Sequence, residues 1–191
     1  MKIPNCLIPA YLFATNSNNI LNNNNDKNKI EGYINNLVIA KDITDEAQDK
    51  LESGKEKDAI ALYEDAMAFG RKSALALQEV GAEESEEAMD WLISIYRSSA
   101  FVRLSIGDIE GARKDAWGAC MFSQSMDIPS QECMAEVCKA SGDDIGHVQA
   151  LKRILELHHD DTISSDNMSI ERINDIENTI ADLEKQIMGE S

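Results

Sequence analysis

The chain has 191 residues, enough for one domain with a sizeable core. It is 43% hydrophobic but only 5% aromatic, has three prolines, and is dominated by Ala, Ile, Leu and Glu, a balance that favours an all-α fold. Acidic residues number 35 against 18 basic, and the resulting charge of −17 argues against binding nucleic acid or anionic lipid through the general field and favours a basic partner.

No segment reaches the ~18 continuous apolar residues of a membrane span. The first fifteen residues, MKIPNCLIPAYLFAT, carry one Lys and a short apolar run. Pro4, Asn5 and Pro9 interrupt that run, and Leu12 is bulky for the −3 position of a cleavage after Ala14. A cytoplasmic protein is therefore expected, with organelle targeting through a weak N-terminal signal as the alternative. Cys6, Cys120, Cys133 and Cys138 form no CxxC, and no His stands at zinc-ligand spacing from them. They read as small buried apolar residues in a reducing compartment.

Residues 1–36 form a separate zone. Ten of the 21 residues from Asn16 to Asn36 are Asn, a poor helix and strand former. This zone is expected to be a disordered tail, with at most a short helical lead-in over Ile30–Ile39. A helical repeat domain is expected over 37–161. Its first hairpin turns at Gly54, after Ala47 and Leu51 and before Ala59, Tyr63 and Ala66, which share one helical face. Two long helices are expected next, about Glu56–Val80 and Glu86–Ile106, separated by Gly81. The second begins in an acidic cluster, Glu83 to Asp90, which complements its dipole. Because the turn glycines Gly54 and Gly107 are 53 apart, one hairpin should project beyond its neighbours. Trp91, Leu92 and Ile95, near that projecting start, are candidates for an exposed apolar patch.

The next hairpin turns at Gly107-Asp108. Gly107 can end one helix at positive φ, and Asp108 can cap the other, with Gly111 at N3. Ala100 precedes the turn, and Ala112, Ala116 and Ala119 follow it on one face. A third hairpin turns at Gly142-Asp143, 35 residues after Gly107, with Pro129 opening its first helix. His147 stands there where Ala112 stands in the previous unit. The pair His158-His159 followed by Asp160-Asp161 reads as a solvated helix end, because helix neighbours diverge and no third metal ligand is placed. Residues 162–188 are a polar loop and a last amphipathic helix from about Ser169. Its Ile173, Ile176, Ile180, Leu183 and Ile187 alternate three and four apart. That stripe is expected to cap the preceding hairpin, with a homodimer through 169–188 as the alternative.

The order Tyr96, Ala100, Gly107-Asp108, Ala112 and Ala119, with Gly54, Ala59, Tyr63 and Ala66 in the first hairpin and Gly142 in the third, resembles the tetratricopeptide repeat. The resemblance covers about three repeats between residues 40 and 161. It implies a right-handed α-solenoid of antiparallel helix pairs with a C-terminal capping helix. It also implies a non-enzymatic interaction scaffold that holds a peptide or helix of another protein in a groove. The groove positions it assigns are Thr44, Gln48 and Glu52, then Arg97, Phe101 and Ser105, then Glu132, Glu136 and Ala140.

One subfamily clamps a C-terminal carboxylate with cations. The matching positions here are Gln48, Ser98, Glu132 and Glu136, and the two carboxylates would repel such a ligand. A basic or mixed peptide suits them better, with Arg97 and Phe101 as the anchor pair. No GxSxG, HExxH, P-loop or GxGxxG is present, so no catalytic residues, metal or cofactor are expected. The competing reading is a structural subunit held permanently in a larger complex through the long hairpin or the C-terminal helix.

Overall fold

The computed structural model describes residues 24–160 and 168–189. Among these residues there are seven α-helices and no strands, so the protein is all-α. None of the described helices is long and apolar enough to cross a membrane. The Cα framework forms two compact units that meet in sequence at Ser99/Ala100.

The first unit holds α1 (Asn24–Glu52), α2 (Glu56–Glu79) and most of α3 (Ser85–Ser105). Helix α1 begins well inside the Asn-rich tract. The expected disordered zone therefore does not run to residue 36, and the short lead-in is instead part of one continuous helix. The reason is packing. Leu37, Ala40 and Ala47 are buried, and Ile30, Tyr33 and Ile34 are half-buried at helical spacing where α1 packs along α2. That burial outweighs the weak helix propensity of Asn, which amounts to only ~0.7 kcal/mol per residue relative to Ala. The remainder of the tract, with Cys6 and the N-terminal apolar run, lies outside the described residues.

On α2, the residues facing inward include Ala59, Tyr63 and Ala66, each 0–1% exposed. Alanine side chains leave room for close helix packing, and Tyr63 is one of the largest fully buried side chains. Further along, Gly70 lets α3 approach: a Cβ there would lie 2.2 Å from Trp91 Cζ3. Trp91, Leu92 and Ile95 are consequently buried, at 8%, 0% and 2% exposed. They do not form the expected surface patch. The apolar start of α3 is covered, with Trp91 against α2 at Gly70.

The second unit holds the end of α3 with α4 (Ile109–Phe122), α5 (Ile128–Ser141), α6 (Asp144–His159) and α7 (Ile170–Met188). Ala100, Ala112 and Ala116 meet Cys133 and Val137 in one fully buried cluster, with Phe101 and Leu104 packed on its margin. A second cluster joins Ala135 of α5 and Val148, Ala150, Leu151 and Ile154 of α6 to Ile180 of α7. His147 is only 8% exposed. The hairpin therefore accommodates an imidazole where the preceding one buries Ala112. Desolvation, reinforced by Lys139, pushes the His147 pKa down, against the opposing pull of Glu136 and Asp144.

Candidate functional site

The assigned groove positions form three helical faces at i, i+4, i+8 spacing. On α1, Thr44 and Gln48 are half-buried and Glu52 is exposed; the Thr44 hydroxyl donates to the Ala40 carbonyl at 2.9 Å. On α3, Arg97 and Phe101 are half-buried and Ser105 is exposed. On α5, Glu132 is half-buried, and Glu136 and Ala140 are exposed. Thr44, Gln48, Glu52 and Arg97 belong to the first unit, and the other five to the second. Within the second unit, Phe101 packs on the cluster containing Cys133 and Val137, the residues next to Glu132 and Glu136. Phe101 thus packs on the buried side of α5, while Glu132 is half-buried and Glu136 exposed on the same helix.

This surface rests on a joint that occurs twice. Gly107 and Gly142 adopt φ of +79° and +68°, which ends α3 and α5 in the left-handed region. The next residue, Asp108 or Asp143, caps the following helix by accepting from the backbone N–H of Gly111 at 3.0 Å or Gly146 at 2.9 Å. The sequence GDIEG at 107–111 is thereby matched by GDDIG at 142–146. The glycines at N3 are required by space. A Cβ on Gly111 would stand 2.2 Å from Asp108 Oδ2, and one on Gly146 would stand 2.7 Å from Asp143 Oδ2.

In each joint an arginine takes the free side of the capping carboxylate. Arg103 donates to Asp108 Oδ2 at 2.5 Å and, through Nε, to the buried Asp115 at 2.8 Å. Its hydrogen bond, with the Gly111 amide, holds the Asp108 pKa below the usual carboxylate value. Arg113 reaches from α4 to Asp143 at 3.1 Å and to Ser141 Oγ at 2.7 Å, tying α4 to the turn between α5 and α6. Of these four glycines, Gly107, Gly111 and Gly142 were legible in the sequence as turn or N3 positions, and Gly146 was not. The signal for it was the recurrence of Gly-Asp-x-x-Gly at 107–111 and 142–146.

Helix α7 lies against α6. Ile180 is buried, and Ile173, Ile176 and Leu183 are half-buried. At one end Arg172 pairs with Glu132 of α5, and at the other Glu184 accepts from Lys152 of α6 at 2.7 Å. Glu132, one of the assigned groove residues, is therefore engaged by the chain's own C-terminal helix. The sequence held a trace of this. Arg172 is a cation in the first turn of a helix, where the dipole disfavours one.

Cys120, Cys133 and Cys138 are buried and unbonded to one another. Burial pushes the Cys120 thiol up to about 11, helped by Asp127 and Cys138. The rings of His158 and His159 lie 5.5 Å apart and tilted. Among the described residues no group of three His, Cys, Asp or Glu stands together as a metal site.

Compared with models of known protein families the chain matches none, and compared with curated proteins it also matches none.

Proposed function

We propose that the chain is a non-enzymatic protein-interaction scaffold. It is a tetratricopeptide-like, right-handed stack of helix pairs ended by α7, and it holds a basic or mixed peptide or helix of a partner. The observation that carries this reading is the joint repeated 35 residues apart, with the same left-handed glycine, Asp cap and N3 glycine. A repeated joint supports a repeated hairpin, and stacked hairpins present their first helices along one surface. Glu132 and Glu136 give that surface its sign. Glu132 already accepts a guanidinium from Arg172, which supports a cationic ligand. The three buried, unbonded thiols support a reducing, cytoplasmic setting.

The test is a pull-down from native extract with the full chain and with Arg97→Glu, Phe101→Ala and Glu136→Lys. Loss of the same partners from all three variants supports the groove. Retention of every partner by all three refutes it.

A second reading, a permanent subunit of a larger complex, is favoured by a different observation. Trp117 is 61% exposed, and Met121, one turn further along α4, is 45% exposed. Light scattering on the purified chain separates the readings. A monodisperse monomer favours the scaffold; self-association that is lost in Trp117→Ser favours the subunit.

A further inference from the structure

We propose that the surface beneath α7 is a docking site for a basic amphipathic helix of a partner protein, with α7 as its removable occupant.

Helix α7 shows what shape the surface accepts. A stripe at three- and four-residue spacing lies over Leu151, Ile154 and Leu155 of α6 and Ala135 of α5. Glu132 takes a cation just before the stripe, and Lys152 takes a carboxylate near its far end. The fit is incomplete, however. Only Ile180 is buried on α7, while Ile170, Ile187 and Met188 remain 76%, 45% and 63% exposed. Both end ties are between half-exposed side chains, the class of ion pair that contributes least.

Charge opposes α7 as well. The helix carries five carboxylates (Glu171, Asp175, Glu177, Asp182, Glu184) against two cations (Arg172, Lys185), a net −3, on a chain of net −17. Glu136, one turn beyond Glu132 on α5, is a further exposed carboxylate. A helix with the same stripe and the same two end charges, but cations on its outer face, would keep the apolar stripe and both end ties of α7 and reverse the sign of the repulsion. Such a helix competes for the site on favourable terms. The fraction of time that α7 is detached sets its apparent affinity.

The probe is a fluorescent peptide of residues 168–189 carrying Asp175→Lys, Glu177→Lys and Asp182→Lys, titrated by anisotropy against the full chain. Three full-chain variants accompany the wild type. Ile180→Asp removes the buried anchor of α7. Arg172→Glu breaks the tie to Glu132 without touching the core, so it serves if Ile180→Asp fails to fold. Glu132→Arg reverses the charge of the site. The expected result is binding to the wild type, about tenfold tighter binding to Ile180→Asp, a smaller gain with Arg172→Glu, and a loss with Glu132→Arg. Binding should weaken with salt. Equal affinity for the wild type and both α7 variants overturns the proposal, as does no binding to any of them. Equal binding of a peptide of the same composition in shuffled order also overturns it. The proposal shares Glu132 and Glu136 with the groove reading but uses neither Arg97 nor Phe101, so the pull-down with the Arg97 and Phe101 variants tests that reading separately.

Discussion

Gly111→Ala tests the joint between α3 and α4. In an ordinary helical position this change stabilises by about 1 kcal/mol, because Ala loses less backbone freedom than Gly on folding. Here the added Cβ would stand 2.2 Å from Asp108 Oδ2, 2.5 Å from Arg103 Nη1 and 2.8 Å from Arg103 Cδ. Neither side chain can swing away freely. Asp108 is held by the Gly111 amide and by Arg103, and Arg103 is held by Asp115. Relief of the clash therefore displaces the cap, a loss of about 1 kcal/mol. It also loosens the Arg103–Asp115 pair, whose side chains are only 12% and 5% exposed. Complete rupture of such a buried pair costs ~3–5 kcal/mol, and partial displacement about half that. After the propensity gain, the net effect is about 2 kcal/mol of destabilisation. At ~2–4 °C per kcal/mol for a chain of this size, Tm falls by about 6 °C. Urea and thermal unfolding followed by far-UV circular dichroism measure it. The same change made in Asp108→Ala meets no carboxylate and has no cap to displace, so its cost should fall, while the contacts with Arg103 remain. Stabilisation of the wild type by Gly111→Ala would refute the reasoning.

Gly70→Ala places a Cβ 2.2 Å from Trp91 Cζ3 and 2.8 Å from Cη2, and the indole is buried and rigid. Unfolding should show a loss of ~1–3 kcal/mol, recovered in part by Trp91→Leu in the same chain. Because burial lowers the His147 pKa, the folded state binds that proton less readily than the unfolded state. Stability should therefore fall as pH drops through the ordinary imidazole value of ~6.5, and level off once the folded pKa is passed. Urea midpoints across that range should show a shallower slope for His147→Gln than for the wild type. Cys120, with its thiol pushed up to about 11, should resist iodoacetamide in the native protein and react on unfolding, as read by peptide mass spectrometry.

Much of the helix plan was written locally in the chain. Positive-φ glycines stand at 54, 81, 107 and 142, each where one helix stops. The observed ends of α2 and α3, Glu79 and Ser105, each fall one residue before those read from periodicity. Asp108 caps α4 as its position implied, and Pro129 sits in the first turn of α5. These signals act within a single helix or turn, so neighbouring residues suffice to reveal them. The candidate site was only partly legible. Spacing put Glu132 and Glu136 on one face of α5. It could not reveal that Arg172, 40 residues away, pairs with Glu132.

Tertiary structure decided the rest. Periodicity shows that a helix has an apolar side, not what will cover it. Trp91 is buried because Gly70, 21 residues earlier, leaves room for its ring. The Asn-rich segment from Asn24 is helical because Leu37 and Ala40, further along the same helix, are buried where it packs on α2. His147 is buried where the preceding hairpin has a small residue, and that burial disfavours its charged form. In each case the deciding interaction lies between segments that folding brings together, and its energy depends on distances that the order of residues does not state.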